Sequence, residues 1–332
     1  MKFTGRLTKQ LPHLLSTGDL SKQQLNTLLK HSAELKDAFK KNAIPPAKLS
    51  IPKSLDAKTV AVLFNKRSTR TRVAAETSLQ ALGGHPLFLS PSDIQLGVNE
   101  SLEDTARVVS SMTDGIFARV GAHSEIETLA KYSSVPVINA LSDLYHPTQI
   151  LADLLTISEV YGVNYSSEAP LSGLTFSWVG DANNIINDTL LSLPRLGAIV
   201  KVGCPQGYEI DNIIIKQLEE QGILDKVLFT SSPLEAVKDA DVIVTDTWIS
   251  MGQEDEKTKR LNDFKGFQVT EELARKGGAK DNWIFMHCLP RKTEEVDDHV
   301  FYGARSKVFQ EAENRKWTIM SIFDKILGEY RL

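Results

Sequence analysis

The sequence holds only two cysteines, Cys204 and Cys288, in 332 residues. Their separation matches no metal-ligand spacing, and two thiols cannot make a disulfide framework, so a reducing compartment is expected. Long apolar runs are also missing: none approaches the ~20 residues that a membrane-spanning helix needs. Charge of one sign is not in excess. The formal net charge is −4, which gives no bulk attraction to nucleic acid or to an acidic membrane. Two glycine signatures are absent as well. No Gly-rich loop ends in Gly-Lys-Ser/Thr, which excludes a Walker phosphate loop, and without a Gly-x-Gly-x-x-Gly fingerprint a nicotinamide cofactor is only weakly supported. Internal repeats and low-complexity tracts are lacking. Residues 1–18 are basic and contain no acid, a composition compatible with the trimmed edge of a transit peptide or with a plain N-terminal arm.

Hydrophobic residues make up 42% and charged residues 24% of the chain, as in an ordinary globular protein long enough for two domains. Apolar, strand-like runs fall at 58–64, 115–120, 135–139, 174–180, 198–202, 241–246 and 283–287. Helical patterns lie between them. Ser21 with Gln24 forms a capping box for a helix through about Lys41, and others cover 69–82, 101–113, 147–161, 184–196, 211–221 and 311–328. This alternation predicts an α/β fold: two doubly wound parallel-sheet domains, residues 1–150 and 151–310, with a cleft between them. The boundary is expected near the helix over 147–162, before the loose segment 163–173. The amphipathic helix in 311–332 is expected to pack back on the first domain.

Nearly every unusual polar cluster follows a strand. VAVLF leads into 65-NKRSTRTR-72, GIFA into Arg119, PVIN into 143-DLYHPTQ-149, FSWVG into 181-DANN-184, VIVTD into 247-TWISMG-252, and WIFMH into 288-CLPR-291. Ligands of open α/β sheets bind at the carboxyl ends of strands. Clusters divided between two domains therefore predict a cleft with a half-site on each side.

The first half-site suits a phosphate. A helix starting near Thr69 offers free N–H groups and a partial positive charge. Ser68, Thr69 and Thr71 add hydroxyl donors, and Arg70 adds a guanidinium fork. Arg70 and Arg72 point different ways on a helix, and Arg72 lies four before Glu76, the spacing of a surface ion pair. Arg119 sits in an apolar run, where an arginine is more often a structural ion-pair residue. His146 and Gln149 add polar groups at a helix start, which hints that the phosphate carries a polar acyl group.

The second half-site suits an amino acid. Asn183 and Asn184 are placed to hydrogen-bond a carboxylate, and Asp246 offers an anion for an ammonium group. The Ser250-Met251-Gly252 loop offers main-chain contacts and mobility, although a cap and a surface turn explain the same spacing. Cys288, beside His287, is open to reading as nucleophile, proton relay or orienting group. Cys204 reads as packing. Arg315 lies in a predicted helix start among acids, which by itself suggests an ion pair.

Taken together, STRTR at 68–72, HPTQ at 146–149, DxxN at 181–184, SMG at 250–252 and HCLPR at 287–291 resemble the aspartate/ornithine carbamoyltransferase family. SMG and HCLP resemble its ornithine-specific branch, and the likeness covers residues 11–330 in order. The resemblance implies carbamoyl transfer from carbamoyl phosphate to L-ornithine, giving L-citrulline and phosphate. It implies a homotrimer with sites at subunit interfaces, no metal or organic cofactor, no nucleic-acid or membrane partner, and a mitochondrial matrix location, with the cytoplasm as alternative. It further implies that residues 1–150 form a carbamoyl-phosphate-binding domain and 151–310 an ornithine-binding domain. Carried over, Ser68, Thr69, Arg70 and Thr71 bind the phosphate, and Arg119, His146 and Gln149 complete that site. Asn184, Asp246, Ser250 and Met251 hold ornithine. Cys288 and Leu289 line the carbamoyl group and the reacting amine, and Arg315 joins them. Arg119, His146, Cys288 and Arg315 are the expected catalytic groups.

Three other functions fit parts of the pattern. The acceptor side could take N-acetylornithine or putrescine, whereas aspartate would want cationic groups where Asp246 stands. A dehydrogenase would use the second domain for a dinucleotide. A non-catalytic anion-binding protein would keep the first half-site alone.

Overall fold

The computed structural model describes residues 11–41, 53–92, 100–249 and 254–328. The first half runs α1 (Lys22–Lys41), β1 (Thr59–Phe64), α2 (Thr69–Ala81), β2 (His85–Leu89), α3 (Leu102–Met112), β3 (Gly115–Arg119), α4 (His123–Tyr132), β4 (Val137–Leu141) and α5 (Pro147–Tyr161). The second runs β5 (Thr175–Val179), α6 (Asn184–Ser192), β6 (Ile199–Gly203), α7 (Asn212–Glu220), β7 (Val227–Thr230), α8 (Pro233–Ala236), β8 (Val242–Val244), α9 (Lys257–Asp263), α10 (Glu271–Gly277), β9 (Ile284–Met286), α11 (Asp298–Tyr302) and α12 (Val308–Phe323).

The strands form two sheets, of order β2-β1-β3-β4 and β7-β6-β5-β8-β9, with every pairing parallel. Helices cover both faces, so inner strands are apolar without alternation; every residue of β3 is buried. The α/β expectation holds. Two strands, β2 and β7, were not expected. Both are edge strands with mixed burial, so neither carries the continuous apolar run that marks an inner strand. The strand expected at 135–139 lies at Val137–Leu141. The helix expected over 184–196 ends at Ser192, and a short 3-10 turn covers Pro194–Leu196.

The capping box is formed: Gln24 Oε1 accepts from the Ser21 amide at 2.8 Å, and Ser21 Oγ accepts from the Gln24 amide at 3.2 Å. At the other end of the chain, α12 starts at Val308, earlier than expected, so Arg315 lies mid-helix and not at its start. α12 packs on α1, α2 and α5, and Phe323 meets Phe117 of β3 edge-on, ring centroids 5.2 Å apart. Burying each such large side chain contributes ~1.5–3 kcal/mol. One connected apolar core runs from Leu28 and Val60 through Leu151 and Ile319 to Phe176 and Val200. The two sheets therefore share a core through α5 and α12.

Strand order places the cleft. In the first sheet the chain leaves β1 on one side for β2 and returns on the other for β3. In the second it reverses between β5 and β8. Ligands settle outside strand ends at such switch points. Phe64 pairs with Arg119 at the carboxyl ends of β1 and β3, and Trp178 with Val244 at those of β5 and β8.

Candidate active site

The side expected to take a phosphate begins where β1 stops. Ser68 caps α2, its Oγ accepting from the Thr71 amide at 3.3 Å and lying 3.0 Å from Thr71 Oγ1. Thr69 is exposed at the first helical position and Thr71 is buried. Arg70 reaches across the cleft, its Nη2 donating to the Leu289 carbonyl at 2.5 Å. Arg72 turns away to Glu76, with Nε to Oε1 at 2.7 Å, as its spacing implied.

Arg119 ends β3 and is 8% exposed. Arg315 comes from α12, is 2% exposed, and donates to Gln149 Oε1 at 2.8 Å and Thr71 Oγ1 at 2.7 Å. The ion pair suggested for Arg315 from its acidic neighbours does not form; its partners are neutral oxygens on α2 and α5. Nor, among the described residues, does a carboxylate pair with Arg70 or Arg119. The Nε atoms of Arg70, Arg119 and Arg315 are all buried without a partner. Burial and the proximity of Arg70 pull both Arg119 and Arg315 down to about 10. Three guanidiniums that repel one another, none paired to a carboxylate among the described residues, make a cluster suited to a multiply charged anion.

His146 precedes α5 and is buried; its Nδ1 lies 3.3 Å from Thr148 Oγ1. Burial first, then Arg315, Arg119 and Arg70, hold it well below the usual histidine value, so it is neutral at pH 7. Gln149 spends its amide inside the protein. Its NH2 donates to Asp153 Oδ1 at 2.8 Å and to Glu311 Oε1 at 2.6 Å, while its oxygen accepts from Arg315.

The facing side is built from β5, β8 and β9. Gly180 follows β5 at φ +149, a conformation that L side chains rarely adopt, and a Cβ there would meet Thr245 Oγ1 at 3.1 Å. Asn183 caps α6 with its oxygen and donates Nδ2 to Asp246 Oδ2 at 2.9 Å. The carboxylate expected for Asn183 is thus the protein's own. Asn184 donates to the Ser142 carbonyl at 2.6 Å, fastening one sheet to the loop after β4 of the other. Ser250 and Met251 lie outside the described residues.

Cys288 follows β9 and donates its thiol to Asp246 Oδ1 at 3.1 Å. Burial and the Asp246 charge push the thiol well above its ordinary value, so it is not a thiolate at neutral pH. His287 is no base for it: the Leu289 amide donates to Nδ1 at 2.9 Å, and Nε2 faces Glu295 Oε1 at 3.3 Å. Leu289 sits at φ +62, a left-handed conformation costly for a branched side chain, and this turn presents its carbonyl to Arg70.

Sequence reasoning missed Asp153, Glu311 and Ser142. Glu311 stands four before Arg315, a visible helix-face spacing, but which face is buried was not visible.

Comparison with known proteins shows the following similarities. Residues 12–159 match the family model described as aspartate/ornithine carbamoyltransferase, carbamoyl-P binding domain, and residues 172–326 match the Asp/Orn binding domain of the same family. The chain is 52% identical over 319 residues to the mitochondrial ornithine carbamoyltransferase of Aspergillus niger, covering 94% of this chain and 85% of that one. It is 49% identical over 320 residues to that of Aquarana catesbeiana, covering 96% and 87%. Among solved structures it is similar to a mitochondrial ornithine carbamoyltransferase from Coccidioides immitis, with a TM-score of 0.87, 48% identity, and 96% and 98% of the two chains covered. The ornithine carbamoyltransferase of Pyrococcus furiosus gives a TM-score of 0.86 at 41% identity, covering 95% and 97%.

Proposed function

The chain belongs to the aspartate/ornithine carbamoyltransferase family, and from that premise we propose a division of labour among its residues. It transfers the carbamoyl group of carbamoyl phosphate to the δ-amine of L-ornithine, giving L-citrulline and phosphate. The observation that carries the residue assignment is the cluster of Arg70, Arg119 and Arg315, whose buried Nε atoms have no partner, close to Cys288 and its partner Asp246.

Residues 1–150, with α12 behind them, hold carbamoyl phosphate, and residues 151–310 hold ornithine. Phosphate sits at the start of α2, where the free N–H groups, Ser68, Thr69 and Thr71 meet Arg70. Arg119, His146 and Arg315 face the carbamoyl oxygen, which gains negative charge as the carbon becomes tetrahedral; each such preorganised donor is worth ~3 kcal/mol. Neutral His146 donates from Nε2 when Nδ1 is the bare nitrogen; the Thr148 hydroxyl, 3.3 Å from Nδ1 and 3.3 Å from the Ala140 carbonyl, has one hydrogen to give to either. Gln149 serves by holding Arg315. Ornithine's α-ammonium pairs with Asp246, its carboxylate takes Asn184, and Ser250 and Met251 complete the acceptor site. The δ-amine, with a free pKa near ~10.4, arrives protonated and must lose that proton before it attacks. The new C–N bond forms, the bond between the carbamoyl carbon and the bridging phosphate oxygen breaks, and phosphate leaves with the proton that the attacking nitrogen sheds, its charge already neutralised. Cys288 and Leu289 orient the amine and the carbamoyl group; a protonated thiol is unsuited to forming an acyl-enzyme.

The enzyme works in the mitochondrion, in line with the names of its relatives, and we place it in the matrix as a homotrimer. Among the described residues no helix is long and apolar enough to cross a membrane. The test is citrulline formation from carbamoyl phosphate with ornithine, aspartate, N-acetylornithine and putrescine as parallel acceptors. Ornithine alone should turn over. Turnover with another acceptor would overturn the acceptor side and leave the phosphate side standing. Sedimentation equilibrium tests the trimer.

A further inference from the structure

Beside Arg315 lie two carboxyl groups that the reaction does not use. Asp153 comes from α5 and Glu311 from α12; they are 2% and 1% exposed. Their carboxyl groups lie close enough together to interact directly. Two carboxylates side by side repel each other, whereas a carboxylic acid beside a carboxylate can share its hydrogen. Both groups also accept from the same amide: Gln149 Nε2 donates to Asp153 Oδ1 at 2.8 Å and to Glu311 Oε1 at 2.6 Å. That pair of bonds orients Gln149, whose oxygen then holds Arg315 at 2.8 Å. The other oxygen of Glu311 accepts the His287 amide at 2.9 Å, at the end of β9. One carboxyl group therefore touches both halves of the site: the guanidinium on the phosphate side, through Gln149, and the His287-Cys288-Leu289 turn on the acceptor side.

We propose that Asp153 and Glu311, as a pair sharing one hydrogen, are positioning residues that set Arg315 and the turn after β9 in register with each other. The inference rests on the carbamoyl-transfer function proposed above. The charged and titratable groups facing the pair are Arg315 on α12, Asp246 after β8, and His287 and Cys288 after β9. Arg315 favours ionisation of the pair. Burial and the mutual repulsion of two carboxylates oppose it, and both groups lie above the ordinary carboxyl range. Loss of the shared hydrogen at alkaline pH leaves two anions side by side, breaks their bond and frees Gln149 to turn.

The test compares wild type with Asp153→Asn and Glu311→Ala, following both substrates from pH 7 to pH 10 along with thermal unfolding. Asp153→Asn keeps an oxygen for Gln149 and gains a permanent donor toward Glu311, whose two oxygens still accept from Gln149 and His287, so its kcat should stay within a few-fold of wild type at pH 7. The ratio of D153N to wild-type activity should then rise with pH, because only the wild-type pair loses its hydrogen. Glu311→Ala should lower kcat at least tenfold and raise KM for both carbamoyl phosphate and ornithine. The infrared difference spectrum, wild type minus D153N, should show a protonated-carboxyl band at neutral pH, a readout independent of turnover and of folding in E311A. A flat activity ratio, equal losses in D153N and E311A, an effect on one substrate only, or a missing difference band would each overturn the proposal. Failure of the wild type to make citrulline would instead strike the carbamoyl-transfer function itself.

Discussion

Arg70, in the first turn of α2, donates to the main-chain carbonyl of Leu289, on the turn after β9 of the other sheet, at 2.5 Å. A bond between the strand ends of two different sheets is what makes the cleft a single site. It also shows how the guanidinium is held in reach of an anion when its Nε has no partner in the protein.

On the assignment proposed above, Arg70→Ala removes a charge-assisted hydrogen bond to phosphate, worth ~1.5–3 kcal/mol. KM for carbamoyl phosphate should rise by about 10- to 100-fold, with KM for ornithine less affected. Arg70→Lys should recover only part, because an ammonium lacks the fork. Steady-state kinetics with each substrate varied in turn checks this, and unchanged KM values would remove Arg70 from the phosphate site.

Cys288 is held as a thiol by burial and by Asp246. Cys288→Ser keeps a donor toward the carboxylate, so kcat should fall by about tenfold or less, or ~1.4 kcal/mol. Intact-protein mass spectrometry during turnover should find no carbamoyl adduct. A trapped adduct on Cys288 would make it a nucleophile.

His146 lies well below its ordinary value of 6.5 in the folded chain. Below that pH the unfolded chain binds more protons than the folded one, so stability is full above pH ~6.5 and declines as pH drops. His146→Asn should flatten this decline by up to ~1.4 kcal/mol per pH unit. Urea midpoints of both proteins at pH 5, 6 and 7 measure the difference; parallel curves would contradict a neutral buried His146.

Asp188, on α6, accepts from the amide and the hydroxyl of Thr17, both at 2.7 Å, and burial raises its carboxyl to about 7. The sign is opposite to that of His146: the folded chain binds the extra proton, so the contribution is full below the unfolded value near ~3.9 and is lost as pH rises through 7. Asp188→Asn cannot titrate. Its stability relative to wild type should rise by up to ~3 kcal/mol between pH 5 and pH 7.5. Denaturant unfolding at the two pH values decides it.

Much of the site was legible because its groups sit at strand ends, and inner parallel strands announce themselves as apolar runs. Arg70, Arg119, His146, Asp246 and Cys288 could each be placed by counting from such a run. Gln149 was legible as a polar group near the site but not as an internal brace, since its partner Asp153 shares α5 whereas its partner Glu311 lies 162 residues away on α12. Asn183 was read as a ligand for a substrate carboxylate, and its partner proved to be Asp246. The Ser250-Met251 loop lies outside the described residues.

The sequence by itself determined the alternation of strands and helices, the capping of α1 by Ser21 and Gln24, and the side chains that follow each inner strand. These depend on neighbours a few residues apart, through period, cap and turn. Only the tertiary structure decided the strand order that places the two switch points, the edge strands β2 and β7, and the buried face of α12. It also brought Arg315 to Thr71 and Gln149, and Glu311 to His287. Those contacts join residues far apart in the chain. Their energies come from shared burial and from hydrogen bonds that exist only once both sheets have packed on α5 and α12.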